Sequence, residues 1–184
     1  MRALRYITGR GGNGKGGLSA HLATLSDDYD VLPIDPDFLA QDIQAQVDTV
    51  REFTHLEDGN LIANSYGAYL VLLTLIDQPP LNIRVLLLSP VLGRAISKER
   101  MLFSRPPREK TLHSAITEQR LGMPSHMKIV TGAEDEICDP ALARRVGEQL
   151  GISVSILASE GHMLEPSSVE RALQRFLQER GNHL

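Results

Sequence analysis

Three side chains remote in sequence have the types that acyl-bond hydrolysis requires. Ser65 stands in Ala63-Asn64-Ser65-Tyr66-Gly67, where an apolar strand-like run gives way to an apolar helix-like run. A serine on a sharp strand-to-helix turn is a nucleophile elbow. Its backbone is strained, Oγ stands clear, and the strand and helix pass so closely that flanking residues must be small. Ala63 and Gly67 meet that demand, with Ala63 standing where glycine is usual. Serine also needs a base beside Oγ, a carboxylate to orient the base, and donors for the developing oxyanion. The loop Gly132-Ala133-Glu134-Asp135-Glu136-Ile137-Cys138-Asp139-Pro140 offers Asp135 at its apex as the orienting acid. Asp139, directly before Pro140, reads as a helix cap, and Glu134 and Glu136 as solvent-facing. The loop Ala158 to Leu164 offers His162, with Gly161 freeing the backbone where the chain turns toward Ser65.

A second constellation points elsewhere. Gly9-Arg10-Gly11-Gly12-Asn13-Gly14 fits GxGxxG after a strand and before a helix, and Asp35 ends the next strand in the place of a ribose-binding acid. Gly9 to Lys15 also fits a phosphate-binding loop as far as its lysine. The next residue should be Ser or Thr to hold Mg²⁺, and it is Gly16. Neither nucleotide reading accounts for Ser65, Asp135 and His162 on other loops.

Residue periodicity predicts the elements that carry these loops. Short apolar runs at 4–8, 31–34, 61–64, 84–89, 127–131 and 152–157 read as strands. Helical spacing runs through 18–25, 41–56, 66–77, 140–150 and 166–180, with Ile43, Val47, Val50 and Thr54 on one face of the second. Between 93 and 124 the periodicity weakens, basic residues outnumber acidic ones, and Pro106-Pro107 interrupts the run. This stretch reads as an inserted, partly helical cap or as a long solvated connection. Alternating strands and helices predict one α/β domain over 1–184, about six mostly parallel strands with helices on both faces. In such sheets a site forms beyond the carboxyl ends of the strands. The loops after Thr8, Asn64, Thr131 and Leu157 converge there.

Bulk properties narrow the function. A chain of 184 residues with a net charge of −4 gives no reason to expect nucleic acid or an anionic membrane as partner. The one cysteine, Cys138, excludes an internal disulfide and a CxxC metal site. The longest apolar run, Ala68 to Ile76, is short of a membrane span, and the N-terminus lacks the form of a signal peptide. The expectation is a cytoplasmic protein.

The order Ser, Asp, His along the chain, in Ala-Asn-Ser65-Tyr-Gly, Gly132-Ala-Glu-Asp135 and Gly161-His162, resembles the α/β-hydrolase family. The resemblance runs from Leu4 to Leu177 and is to the compact members that lack the first antiparallel strands. It implies Ser65 as nucleophile, His162 as general base and then acid, and Asp135 as its orienter. It also implies the Tyr66 N–H as one oxyanion donor and Arg10 or Gly11 as the second, although the family's His-Gly at the head of that loop is Thr8-Gly9 here. The activity implied is cleavage of a carboxylic ester or thioester of a small-molecule acyl substrate through an acyl-enzyme on Ser65, with no cofactor or metal. The rivals are a non-catalytic binding protein of the same fold and a nucleotide-binding protein using residues 9–17.

Overall fold

The computed structural model describes residues 3–55, 58–93 and 106–179. Six strands form one parallel sheet: β1 (Ala3–Arg10), β2 (Tyr29–Ile34), β3 (Gly59–Asn64), β4 (Leu81–Leu88), β5 (Pro124–Gly132) and β6 (Ser153–Leu157), in the order β2-β1-β3-β4-β5-β6. Seven helices are described: α1 (Leu18–Ala23), α2 (Pro36–Leu39), α3 (Ile43–Phe53), α4 (Ser65–Thr74), α5 (Glu109–Thr117), α6 (Pro140–Leu150) and α7 (Pro166–Gln178).

The central strands β1, β3, β4 and β5 are largely buried on both faces, so their residues alternate between two cores. Leu61 and Ala63 of β3, Val85 and Leu87 of β4, and Met127 and Ile129 of β5 enter the larger core with α3, α4, α5 and α6. Ile62, Leu86, Leu88 and Val130 enter the smaller one, beneath α1 and α7. Helix α4 is buried all round, which explains its lack of a polar face. Of the residues expected on the inward face of α3, Val47, Val50 and Thr54 are buried and Ile43 packs partly buried against the larger core. Arg84, the first charged residue of the β4 run, is buried and closes the far end of α7. Its guanidinium donates to the Glu179 carbonyl at 2.6 Å and to that of Phe176, and lies 4.5 Å over the Phe176 ring. Such carbonyls at a helix end have no partner within the helix.

Five of the six strands, β1 to β5, start earlier or end later than periodicity predicts, and β1 and β5 show why. β1 continues through Gly9 to Arg10, because Ile34 N–H donates to Thr8 Oγ1 at 2.8 Å and Gly11 N–H donates to the Ile34 carbonyl at 2.7 Å. The register shifts between Ile7 and Arg10, so this end of the ladder is irregular. β5 starts at Pro124, paired opposite Leu81, a place where a strand tolerates a missing N–H. Of the stretch expected to form a cap, residues 94–105 lie outside the described residues. Its helix α5 packs Leu112, Ala115 and Ile116 into the larger core.

Candidate active site

β3 is paired on both sides, by β1 and β4, and delivers Ser65 to the middle of the carboxyl edge. Ser65 has φ 51°, a left-handed conformation that costs a non-glycine residue roughly 1–3 kcal/mol and is typical of functional turns. A close approach of α4 to β1 enforces the turn. A Cβ on Gly67 would overlap the Thr8 carbonyl oxygen and crowd Ile7. Ala63 is wholly buried beneath the turn. Asn64 occupies the N-cap of α4 but makes no side-chain cap bond, so its side chain does not cover the helix's first N–H groups.

His162 meets this turn from the loop after β6. Ser65 Oγ lies 2.9 Å from His162 Nε2, and His162 Nδ1 lies 3.0 Å from both Asp135 oxygens. With the ring neutral and its proton on Nδ1, Ser65 donates to Nε2 and Nδ1 donates to the carboxylate. Asp135 is only 1% exposed, which makes its own satisfaction decisive. Oδ1 accepts from the N–H groups of Cys138 at 2.7 Å and Ile137 at 2.9 Å, and Oδ2 accepts from Thr131 Oγ1 at 3.1 Å. Burial pushes this carboxyl's pKa up. The hydrogen bond and charge of His162, with the two backbone N–H groups, outweigh it and hold the pKa below the ordinary carboxylate value. Asp135 is therefore ionised wherever an imidazolium would need a counter-charge.

The acid and imidazole loops are braced against each other. Ala133 N–H donates to the Leu157 carbonyl at 2.8 Å, and Glu134 N–H donates to that of Glu160 at 2.8 Å. Gly132 lies so close that a Cβ there would overlap the Glu160 carbonyl. The loop is fastened to α7 by the Glu160 carboxylate, which accepts from Glu165 N–H at 2.7 Å and from Ser168 Oγ. Sequence reasoning passed over Glu160 and Thr131. For Glu160 a signal existed, an acid five residues before the Glu165-Pro166 helix start. For Thr131 there was none, since a threonine at a strand end is ordinary.

The glycine-rich loop lines the opposite side of Ser65. A Cβ on Gly9 would lie 3.2 Å from Ser65 Cβ, which sets this loop directly against the turn. The Gly11 N–H donates to the Ile34 carbonyl, so of the two donors expected here, Arg10 and Gly11, the second is already engaged. The Arg10 guanidinium lies 4.7 Å over the Tyr66 ring, and Tyr66 Oη donates to Gln46 Oε1 at 2.9 Å. Asp35, which a dinucleotide site would use on a ribose, instead caps α2 by accepting from Phe38 N–H at 2.9 Å. Asp139 caps α6 as expected, accepting from Ala141 N–H at 2.8 Å. Cys138 is buried, and burial with the neighbouring Asp135 charge pushes its thiol pKa far up, which removes it as a competing nucleophile. Among the described residues, no group of three or more His, Cys, Asp or Glu could hold a metal ion, and no helix is long and apolar enough to cross a membrane.

Similarity to known proteins follows the same lines. The family described as Serine hydrolase matches residues 28–175. The fold is that of α/β hydrolases. The ydeN gene product of B. subtilis superposes with a TM-score of 0.67 at 16% identity, over 97% of this chain and 100% of the other. MGS-MChE2, an α/β hydrolase from the metagenome of sediments from the lagoon of Mar Chica, Morocco, gives 0.68 at 17% identity, over 98% and 92%. A protein of the thaumarchaeon Nitrososphaera gargenis, described among carboxylesterases, gives 0.62 at 12% identity, over 96% and 89%. No curated protein matches the sequence.

Proposed function

The chain belongs to the serine hydrolase family, and from that premise we propose that it cleaves a carboxylic ester or thioester through an acyl-enzyme on Ser65. The single observation carrying this reading is the unbroken hydrogen-bonded path from Ser65 Oγ through the His162 ring to Asp135. His162 Nε2 takes the proton as Ser65 Oγ attacks the carbonyl carbon. The imidazolium so formed is stabilised by ionised Asp135, which keeps its own proton state. The tetrahedral oxyanion is held by backbone N–H groups of Tyr66 and Arg10, a contribution of about 10²- to 10³-fold per donor in comparable sites. Nε2 then returns the proton to the departing oxygen or sulfur, the carbon–heteroatom bond breaks, and the acyl group stays on Ser65. Water, deprotonated by the same nitrogen, attacks the acyl carbon and frees the serine.

A fluorophosphonate probe tests the first half of this cycle. Wild type is labelled at Ser65 and hydrolyses short p-nitrophenyl esters. Ser65→Ala does neither and keeps its melting temperature within a few degrees. Absence of labelling in a folded wild type overturns the acyl-enzyme. Labelling without turnover of any ester or thioester in a broad panel moves the protein to the binding-protein class.

A further inference from the structure

Among the described residues, two cavities open at the carboxyl edge of the sheet, one lined by His162 and the other by Ser65, and they differ in kind. The first, about 430 Å³, is walled by Leu18 of α1, Leu88 at the end of β4, Met163, Leu164, Pro166 and Val169, and it includes His162. The second, about 330 Å³, is walled by Thr8, the glycine-rich loop, Arg10 and Ser65. Asn64 and Met163 border both. We propose that the first cavity receives the leaving group of the substrate and selects an uncharged, apolar alcohol or thiol. This rests on the acyl-enzyme reading above.

Proton transfer decides which half of the substrate goes where. The departing heteroatom must sit at the nitrogen that took the Ser65 proton, because that nitrogen protonates it as the bond breaks. His162 lines the apolar cavity, whereas Arg10, whose backbone is offered to the oxyanion, lines the glycine-rich one. A carbonyl oriented with its oxygen toward the Arg10 side turns its leaving group toward the imidazole and hence toward α1 and α7. The chemistry of that space is one-sided. Its walls are mostly apolar, and its volume falls in the usual range for small-molecule sites. His21 and Glu170 stand among the lining residues and give the cavity its polar edge.

Met163, on the border the two cavities share, adds a second observation. It is 81% exposed, the one large hydrophobic side chain so placed among the described residues, and it directly follows the proposed base. An apolar leaving group lying in the cavity would cover this side chain and remove its surface from water. A polar or charged leaving group would leave it exposed and would lose its own hydration against Leu18, Leu88 and Leu164.

Steady-state and burst kinetics on two ester series test the assignment. In the first, the acetyl group is constant and the alcohol grows from methyl to octyl. In the second, methanol is constant and the acyl chain grows over the same range. The expected result is that kcat/KM rises about tenfold or more along the alcohol series and far less along the acyl series, the size expected for a hydrophobic subsite. All acetates share one deacylation rate, since they form the same acetyl-enzyme. Val169→Trp and Leu18→Trp, which fill the cavity from opposite walls, each lower kcat/KM for octyl acetate about tenfold more than for methyl acetate. A steeper rise along the acyl series, or flat profiles in both, overturns the leaving-group assignment while leaving fluorophosphonate labelling of Ser65 intact. Loss of labelling in the wild type is a different result and removes the acyl-enzyme together with this inference.

Discussion

The loops on the two sides of Ser65 are built on opposite plans. The imidazole loop and the acid loop form one braced unit, locked by Gly132 against Glu160, by two backbone bonds between the loops, and by the Glu160 carboxylate on α7. The glycine-rich loop is tied mainly to itself and to β2, through Gly12 N–H on the Gly9 carbonyl, Thr8 Oγ1 and Ser19 Oγ on the Gly14 carbonyl. Three of its glycines, Gly11, Gly16 and Gly17, have open space where a Cβ would stand, while Gly9, Gly12 and Gly14 lie against Ser65, Thr8 and Val31. The difference follows from what each side must do. A proton relay depends on side-chain orientation, which tolerates little displacement. An oxyanion site uses backbone N–H groups, which need a loop free of side chains more than a crowded one. Under the proposed function, the nucleotide-like pattern of residues 9–15 would be the same physical device, backbone donors after a strand, turned to the oxyanion of an acyl substrate.

Asp135→Asn attacks the braced side at its charge and carries the largest expected effect. Asparagine keeps an acceptor for the Ile137 and Cys138 N–H groups, so the fold persists, but the imidazolium loses its counter-charge and the tautomer is no longer enforced. The expected fall in kcat is about 10⁴-fold. The substitution also has a signature in acid. The folded carboxyl has a lowered pKa, so its contribution to stability is present above the unfolded value of about 3.9 and is lost as pH falls through the folded one. Melting temperatures of wild type and Asp135→Asn, measured from pH 7 to 2, should converge below about pH 4. A constant gap across that range would mean that the charge is not held by the fold.

Gly132→Ala strikes the contact between the two loops. The added methyl would overlap the Glu160 carbonyl and lie against that of Gly161, and backbone cannot yield as a flexible side chain does. A loss of about 2 kcal/mol is expected from such overpacking, measured by urea unfolding. A displacement of His162 by about 1 Å would further lower kcat/KM by about 10²-fold. Loss of stability with full activity would show that the brace supports the fold without aiming the base.

How much of this was legible before the structure depends on whether the signal was local. That Ser65, Asp135 and His162 meet could be read because each sits in a loop after a strand whose apolar run is unambiguous, and chain order ranked them. Asp139 could be read because an acid before a proline at a helix start has one common use. The continuation of β1 through Gly9 and Arg10 could not, since glycine normally marks the end of a strand and only the Ile34 partner 24 residues on holds these two in the ladder. The engagement of the Gly11 N–H could not be read for the same reason, its acceptor lying outside its own loop. Pro124 reads as a breaker, yet opens β5. Helix α2 is four residues long and shows no periodicity to find.

Glu160→Ala removes the fastening without adding bulk. It leaves Glu165 N–H and Ser168 Oγ without the acceptor they now share, at the first turn of α7. A loss of about 1 kcal/mol is expected, in line with a missing helix cap. Glu160→Gln retains an acceptor oxygen and should recover most of it. The carboxyl's pKa is lowered chiefly by Ser168 and then by the Glu165 N–H, so this fastening too is present above the ordinary carboxylate range and weakens as pH falls through the folded value. Equal damage from Ala and Gln would assign the role to charge and not to the hydrogen bonds.

On the glycine-rich side, the same change of glycine to alanine should be nearly silent at Gly16, where the surroundings are open. At Gly16 no atom lies within 4 Å of the place a methyl would take, and φ is not in the left-handed region, so Gly16→Ala should alter stability by no more than about 0.5 kcal/mol. Gly11 also has open space, but its φ of +77° disfavours any side chain, and Gly11→Ala should cost about 1–2 kcal/mol through the backbone alone. Together with Gly132→Ala these variants separate two reasons for a glycine, contact and conformation, at three positions around one serine. If Gly16→Ala proves as damaging as Gly132→Ala, the loop is more tightly constrained than its open surroundings imply, and the contrast between the two sides of Ser65 fails at its weaker end.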